Sequence, residues 1–252
     1  MRYFLHLSYN GSKFCGWQIQ PNEPSVQESL ETAFFHLLKE KIGITGCGRT
    51  DTGVHAKSYY AHFDFRELSN KEIEDLVFKL NRYFGFGIRI LNIFRMKPEA
   101  HARFDAGSRT YKYYIANQKQ PFNNDFSYYY PRVLNIEKMN QACQKLREYT
   151  DFTSFSKLHT QVNNNNCTII SAFWEREGDD IIVFTIEANR FLRNMVRSIV
   201  GTLIEVGFER ICIEEFCKII EAKDRNRAGV SVPAKALFLY NIKYEKELFF
   251  QI

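Results

Sequence analysis

Apolar residues recur along this chain with two different periods. Segments Arg2 to Tyr9 and Tyr59 to Phe65 are rich in the aromatic and β-branched residues that favour strands. Between them Val26, Leu30, Ala33, Phe34, Leu37 and Leu38 fall three and four residues apart, which is one face of a helix over 25–42. Ser25 with Glu28 has the form of a capping box, where hydroxyl and carboxylate each satisfy an orphan backbone N–H, and Gly43 suits the stop. Ser69 with Glu72 repeats the start signal for a helix through Ile73, Leu76, Val77 and Leu80, and a strand from Ile88 to Phe94 follows.

The second half has the same rhythm. It predicts a strand at Arg109 to Ala116, a helix near Ile136 to Tyr149, and a strand pair, Thr168 to Glu175 and Ile181 to Glu187, about the turn Gly178-Asp179-Asp180. Helices over Phe191 to Val206 and Ile213 to Ala222 and a strand over Leu237 to Tyr244 complete it. The expected class is α+β: two similar mixed units with antiparallel sheets joined across a central cleft, a subdomain 1–104 and a second 105–252. Asn117 to Asn135 and the polar run Gln161 to Asn166 read as loops.

Composition narrows this picture. The 252 residues are 45% hydrophobic and 25% charged, as in a folded domain, and no apolar run nears the roughly 20 residues of a membrane-spanning helix. Without a signal-peptide pattern the expected location is the cytoplasm, with no membrane partner. Net charge is 34 − 29 = +5, which permits a polyanionic partner without demanding one. The 23 Phe and 14 Tyr fit a packed aromatic core or a surface that stacks unpaired bases. Six cysteines, among them Cys212 and Cys217 read as small buried residues, form no Cys-x-x-Cys pair, so reduced thiols and no structural metal are expected.

Candidate chemistry gathers in three places. Thr45-Gly46-Cys47-Gly48-Arg49-Thr50-Asp51-Thr52-Gly53-Val54-His55-Ala56 carries three glycines within eight residues, which excludes a regular helix and lets the backbone turn tightly. In an extended segment Arg49 and Asp51 point the same way, so the guanidinium holds the carboxylate ionised; by itself, Asp before Thr-Gly is more often an Asx-turn than a catalytic group. Arg190, Arg193 and Arg197, at i, i+3 and i+7 among apolar residues, mark either a solvated helix face or one aimed at an anion. Arg103-Phe104 and Arg109-Thr110-Tyr111-Lys112-Tyr113-Tyr114 interleave basic and aromatic residues, which suits a strand with one face on the core and one on a base and its phosphate.

With these residues in view the chain resembles the tRNA pseudouridine synthase A family. The resemblance runs through Tyr9-Asn10-Gly11-Ser12-Lys13-Phe14-Cys15-Gly16-Trp17-Gln18-Ile19-Gln20, Gly48-Arg49-Thr50-Asp51-Thr52-Gly53-Val54-His55-Ala56, His101-Ala102-Arg103-Phe104, Arg109-Thr110-Tyr111-Lys112-Tyr113, Asp151-Phe152-Thr153-Ser154-Phe155, Asn194-Met195-Val196-Arg197-Ser198-Ile199-Val200-Gly201 and Leu237-Phe238-Leu239. It implies a pseudouridine synthase fold and isomerisation of uridine at positions 38, 39 and 40 of the tRNA anticodon stem-loop, by a homodimer and without metal or cofactor. It also implies Asp51 as nucleophile, Arg49 beside it, Tyr111 against the target base, Arg197 paired with the Asp carboxylate and Leu237 in the apolar wall. His101, Ala102, Arg103, Phe104 and Arg109 then contact substrate, and Asn163, Asn164, Asn165, Asn166, Cys167 and Arg193 contact RNA. Ala100 and Ala236 depart from the family's usual aromatic and Gly. A non-catalytic RNA-binding protein of the same fold and a glycosidase-like hydrolase are the competing readings; a hydrolase calls for a second catalytic carboxylate that no motif singles out.

Overall fold

Strand β1 (Arg2–Tyr9) is buried along most of its length, with Tyr3, Phe4, Leu5 and Leu7 all fully enclosed, so both its faces are covered. In the computed structural model, which describes residues 1–157 and 164–250, it runs antiparallel between β3 (His55–Asp64) and β4 (Ile88–Met96), with Leu5 opposite Ala61 on one side and Ile93 on the other. Helices α1 (Val26–Leu38) and α2 (Asn70–Phe84) belong to the same unit. The Phe34 ring of α1 meets Phe63 edge-on at 4.8 Å, and Phe63 stacks on Tyr3 at 5.3 Å. Rings of this size, removed from water, each stabilise by roughly 1.5–3 kcal/mol.

The unit is discontinuous in sequence, being made of Met1–Gly107 together with the chain from Leu239 onward. Short β2 (Thr45–Gly46) pairs with β3, and the last strand, β9 (Leu237–Tyr244), lies beside β3. Tyr244 packs edge-on against Phe4 and Tyr60, its hydroxyl donates to the Ala102 carbonyl, and Phe249 meets Phe4 and Phe94. An alternating pattern locates such a strand but does not say which sheet it joins.

The other unit, Ser108–Phe238, carries β5 (Ala106–Ala116), β7 (Ile169–Glu177) and β8 (Ile181–Ala188) in the antiparallel order β5-β8-β7, with short β6 (Tyr128–Tyr129) parallel to β5. Its helices are α3 (Ile136–Lys145), α4 (Met195–Gly207) and α5 (Ile213–Glu221). Both units use one device. The Asn81 carboxamide of α2 bonds the N–H and C=O of Ile90, and the Asn140 carboxamide of α3 bonds those of Trp174, so a helix side chain satisfies a strand's outward backbone groups. The expected α+β class is what the chain adopts.

Local details differ from the sequence pattern. The first helix ends at Leu38, with Lys39 left-handed at φ +60°, and does not reach Gly43. The Ser25 hydroxyl accepts from the Glu28 N–H as expected, while the reciprocal capping box forms at Ser69 and Glu72. The helix expected from Phe191 begins only at Met195, because Asn194 is left-handed at φ +67°, a conformation Asn tolerates better than most residues. Arg190 and Arg193 therefore precede the helix and share no stripe with Arg197. Cys212 is exposed at the start of α5 and Cys217 half-exposed, so neither is a buried packing residue; the six cysteines are free thiols. Among the described residues no helix is long and apolar enough to cross a membrane.

Candidate active site

The segment carrying Asp51 is irregular backbone between β2 and β3, fixed residue by residue. Cys47 N–H bonds the Tyr60 carbonyl at 2.8 Å, and buried Tyr59 donates its hydroxyl to the Gly48 carbonyl while its ring stacks on Trp17 at 4.1 Å. Thr50 is buried, its hydroxyl 2.8 Å from that of Tyr9 and its carbonyl accepting from Trp17 N–H at 3.3 Å. Asp51 then opens a turn closed by Val54 N–H on the Asp51 carbonyl at 3.1 Å, with Gly53 at φ +79° in the position that favours glycine. His55 is buried and its Nδ1 accepts from Gly11 N–H at 3.0 Å, a structural task that fixes the ring in the neutral form with its proton on Nε2.

This wiring holds Asp51 half-buried at a fixed place with its carboxylate attached to a rigid turn. Arg49 lies exposed, and among the described residues it makes no ion pair with Asp51. The expected pairing assumed extended backbone on both sides of Thr50; here Asp51 opens a turn.

The His101-Ala102-Arg103-Phe104 turn belongs to the same unit. Ala102 is fully buried, donating its N–H to Nδ1 of His62 at 3.2 Å, so what the turn offers outside is Arg103 and Phe104. Phe104 is 73% exposed, lies 4.3 Å from the His101 ring and has the Arg103 guanidinium over its face at 5.6 Å. His101 Nδ1 in turn accepts from Arg103 N–H at 3.1 Å, and Asp105 accepts from His101 N–H at 2.7 Å. An exposed aromatic with a cation across it is a surface suited to stacking a nucleobase.

Burial drives the pKa of His62 from its ordinary 6.5 to about 4, helped by nearby Arg2 and His101, and burial alone does the same to His6 on β1. A depressed histidine pKa means that the unfolded chain takes up protons first. The stability these residues supply is complete above pH 6.5 and is lost as the pH falls from about 6.5 to 4. Stability is therefore expected to fall between pH 7 and pH 5, by about 1 kcal/mol per histidine after solvent screening, and the thermal midpoint with it. His62→Asn, which keeps an acceptor for Ala102 N–H, should flatten part of that slope; an unchanged slope would show that His62 does not titrate this way.

In the second unit Tyr111 stands half-buried on β5 opposite Ile186, its ring edge-on to Phe191 at 5.0 Å. Arg109, two residues earlier, donates to the Asn189 carbonyl at 2.7 Å, and Lys112 makes a long 3.9 Å contact with Glu175. Arg197 lies in the first turn of α4 and its Nε donates to the Val232 carbonyl at 2.7 Å. Leu237, nearly buried, opens β9 after a 3₁₀ turn at Ala234–Ala236. Tyr113, fully buried, donates its hydroxyl to the Pro233 carbonyl at 3.0 Å, and burial raises its pKa.

Of the loop residues, Asn163 lies outside the described residues. Asn164 and Asn166 are exposed, with Asn166 N–H bonded to the Asn164 side chain. Asn165 is half-buried and donates to Thr153 at 2.9 Å. Cys167 is buried, which raises its thiol pKa to about 11 and keeps the side chain from the surface; Arg193 is exposed. The stretch from Arg225 to Val232, which holds Arg197, escaped sequence reasoning. Its signal was a pair of glycines, Gly201 inside a helix and Gly229 in the loop, each spaced for close backbone approach.

Residues 142–245 match a family model described as tRNA pseudouridine synthase. A protein of Parabacteroides distasonis named tRNA pseudouridine synthase A is 56% identical over 251 residues, covering 98% of each chain. Proteins of the same name from Bacteroides fragilis and Bacteroides thetaiotaomicron are each 50% identical and are covered over 98% and 92% of their lengths, with 98% of this chain matched in both.

Proposed function

The chain belongs to the tRNA pseudouridine synthase A family, and from that premise we propose that it converts uridine to pseudouridine at positions 38, 39 and 40 of the tRNA anticodon stem-loop, as a cytoplasmic homodimer, with Asp51 as the reacting carboxylate. The reaction is an isomerisation. The C1′–N1 bond breaks, the uracil turns, C1′ rejoins through C5, and the C5 proton leaves for solvent as N1 takes one up.

The observation that carries the reading is near-full-length identity to relatives of that name together with a carboxylate set on a turn tied down on both sides. Asp51 reaches the ribose in one of two roles. It attacks C1′ to give a covalent ester with uracil as leaving group, or it removes the C2′ proton to give a glycal; both begin at the same oxygen. Tyr111, rigid on a central part of its strand and braced by Phe191, offers a face to a flipped uracil, which offsets part of the unstacking cost. Arg197 supplies the cation for the Asp carboxylate, and Leu237 an apolar wall that keeps water from the detached base. Arg103, Phe104, Arg109, Arg193, Asn164 and Asn166 take the RNA.

The test uses purified protein and unmodified tRNA labelled with tritium at uracil C5. Expected is one tritium released per uridine converted, with pseudouridine mapping to positions 38–40. Binding without release would support the non-catalytic reading, and modification only elsewhere in the tRNA would overturn the substrate assignment.

A further inference from the structure

We infer that Asn194, Arg225 and Ser231 form a positioning device that sets the Arg197 guanidinium; the inference rests on the role proposed for Arg197 above. Asn194 occupies the place of a helix N-cap, where an Asn side chain ordinarily bonds the N–H groups of the first turn. It does not do so here. Its carboxamide donates instead to the Ser231 hydroxyl at 2.6 Å, 37 residues away in sequence. The same hydroxyl accepts from Arg225 Nη2 at 2.8 Å, and Arg225 Nη1 donates to the carbonyls of Ala228 and Gly229 at 3.3 and 3.2 Å.

These bonds end one residue from the group that touches Arg197. The Val232 carbonyl accepts from Arg197 Nε at 2.7 Å, and Val232 N–H donates to the Arg197 carbonyl at 3.3 Å, a reciprocal clamp of backbone and side chain. Lower down, Gly229 N–H donates to Thr202 at 2.9 Å, and Gly201 leaves room for the Val230 carbonyl to lie against α4. The loop thus follows the first two turns of the helix. With Nε committed to Val232, the plane of the guanidinium is set, and its two terminal nitrogens face away from that bond in the fork that matches a carboxylate.

Arg225 reinforces the reading. It is partly buried, which lowers its pKa, and among the described residues its partners are two carbonyls and a hydroxyl with no carboxylate. A guanidinium placed this way costs desolvation without an ion pair in return, which suits a group used for the geometry it imposes.

The experiment compares single-turnover rate, tRNA affinity and thermal midpoint for Ser231→Ala, Ser231→Thr, Asn194→Gly and Arg197→Lys. Asn194→Gly keeps access to the left-handed backbone while removing the carboxamide. Ser231→Ala and Asn194→Gly are expected to slow the chemical step about tenfold or more with tRNA affinity nearly unchanged. Ser231→Thr, which keeps the hydroxyl, should recover most of the rate. In an Arg197→Lys background, which has no Nε, Ser231→Ala should add little. An unaltered rate in Ser231→Ala and Asn194→Gly, or additive losses in the double variant, would overturn the inference while leaving Arg197 in place. An Arg197→Lys enzyme as fast as wild type would instead overturn the role of Arg197 on which it rests.

Discussion

Asp51→Asn and Asp51→Ala are expected to stop tritium release from C5-labelled tRNA, with a loss of about 10⁴-fold or more, while tRNA affinity stays within a few-fold. The amide of Asn fills the same space and keeps most hydrogen bonds, but it neither attacks C1′ nor accepts a proton from C2′. The turn itself does not depend on the side chain, since it closes through the Asp51 carbonyl and the Val54 N–H. Loss of activity is thus separable from loss of fold: circular dichroism and the thermal midpoint should match the wild type. Full turnover in either variant would remove Asp51 from the reaction.

The second large effect falls on stability. At most exposed interior helical positions, Gly→Ala stabilises by roughly 0.5–1 kcal/mol, because alanine has less freedom to lose on folding. At Gly201 in α4 the sign is expected to reverse. A Cβ there would lie 1.9 Å from the Val230 carbonyl oxygen and 3.0 Å from its carbon, both backbone atoms that no rotamer change removes. Gly201→Ala should therefore cost about 3 kcal/mol or more, at the upper end of overpacking effects. Buried Trp174 in the same unit reports the transition by fluorescence. Gly43→Ala is the control, since a Cβ there meets nothing within 4 Å. Equal midpoints for Gly201→Ala and Gly43→Ala would show that the loop yields freely.

What the sequence made legible, and what it did not, follows from the range of each signal. Strands at Arg2–Tyr9 and Leu237–Tyr244 match their expected bounds because aromatic and β-branched content is a local property. The capping box at Ser69 and Glu72 is equally local. The start of α4 was misjudged because apolar spacing continues through Phe191 and Leu192 while the backbone at Asn194 turns left-handed, and periodicity carries no information on φ. The Arg49 and Asp51 spacing predicted an ion pair on the assumption of extended backbone, whereas Asp51 opens a turn and Arg49 is exposed. The Ser231 network links residues 37 apart through single hydrogen bonds, which leave no pattern in a linear sequence. Asp51 itself stood out only through the company of the family's other motifs, since an Asp before Thr-Gly is also an ordinary turn.

The division of the first unit between the two ends of the chain also bears on how the protein is made. At the usual pace of synthesis, the 108–238 segment keeps the ribosome busy for on the order of ten seconds after β4 has emerged. Throughout that interval the outer side of β3, where β9 will lie, is an open strand edge, and Phe4 lacks the Tyr244 and Phe249 rings that later cover it. The first unit is thus completed only after the whole of the second has been synthesised.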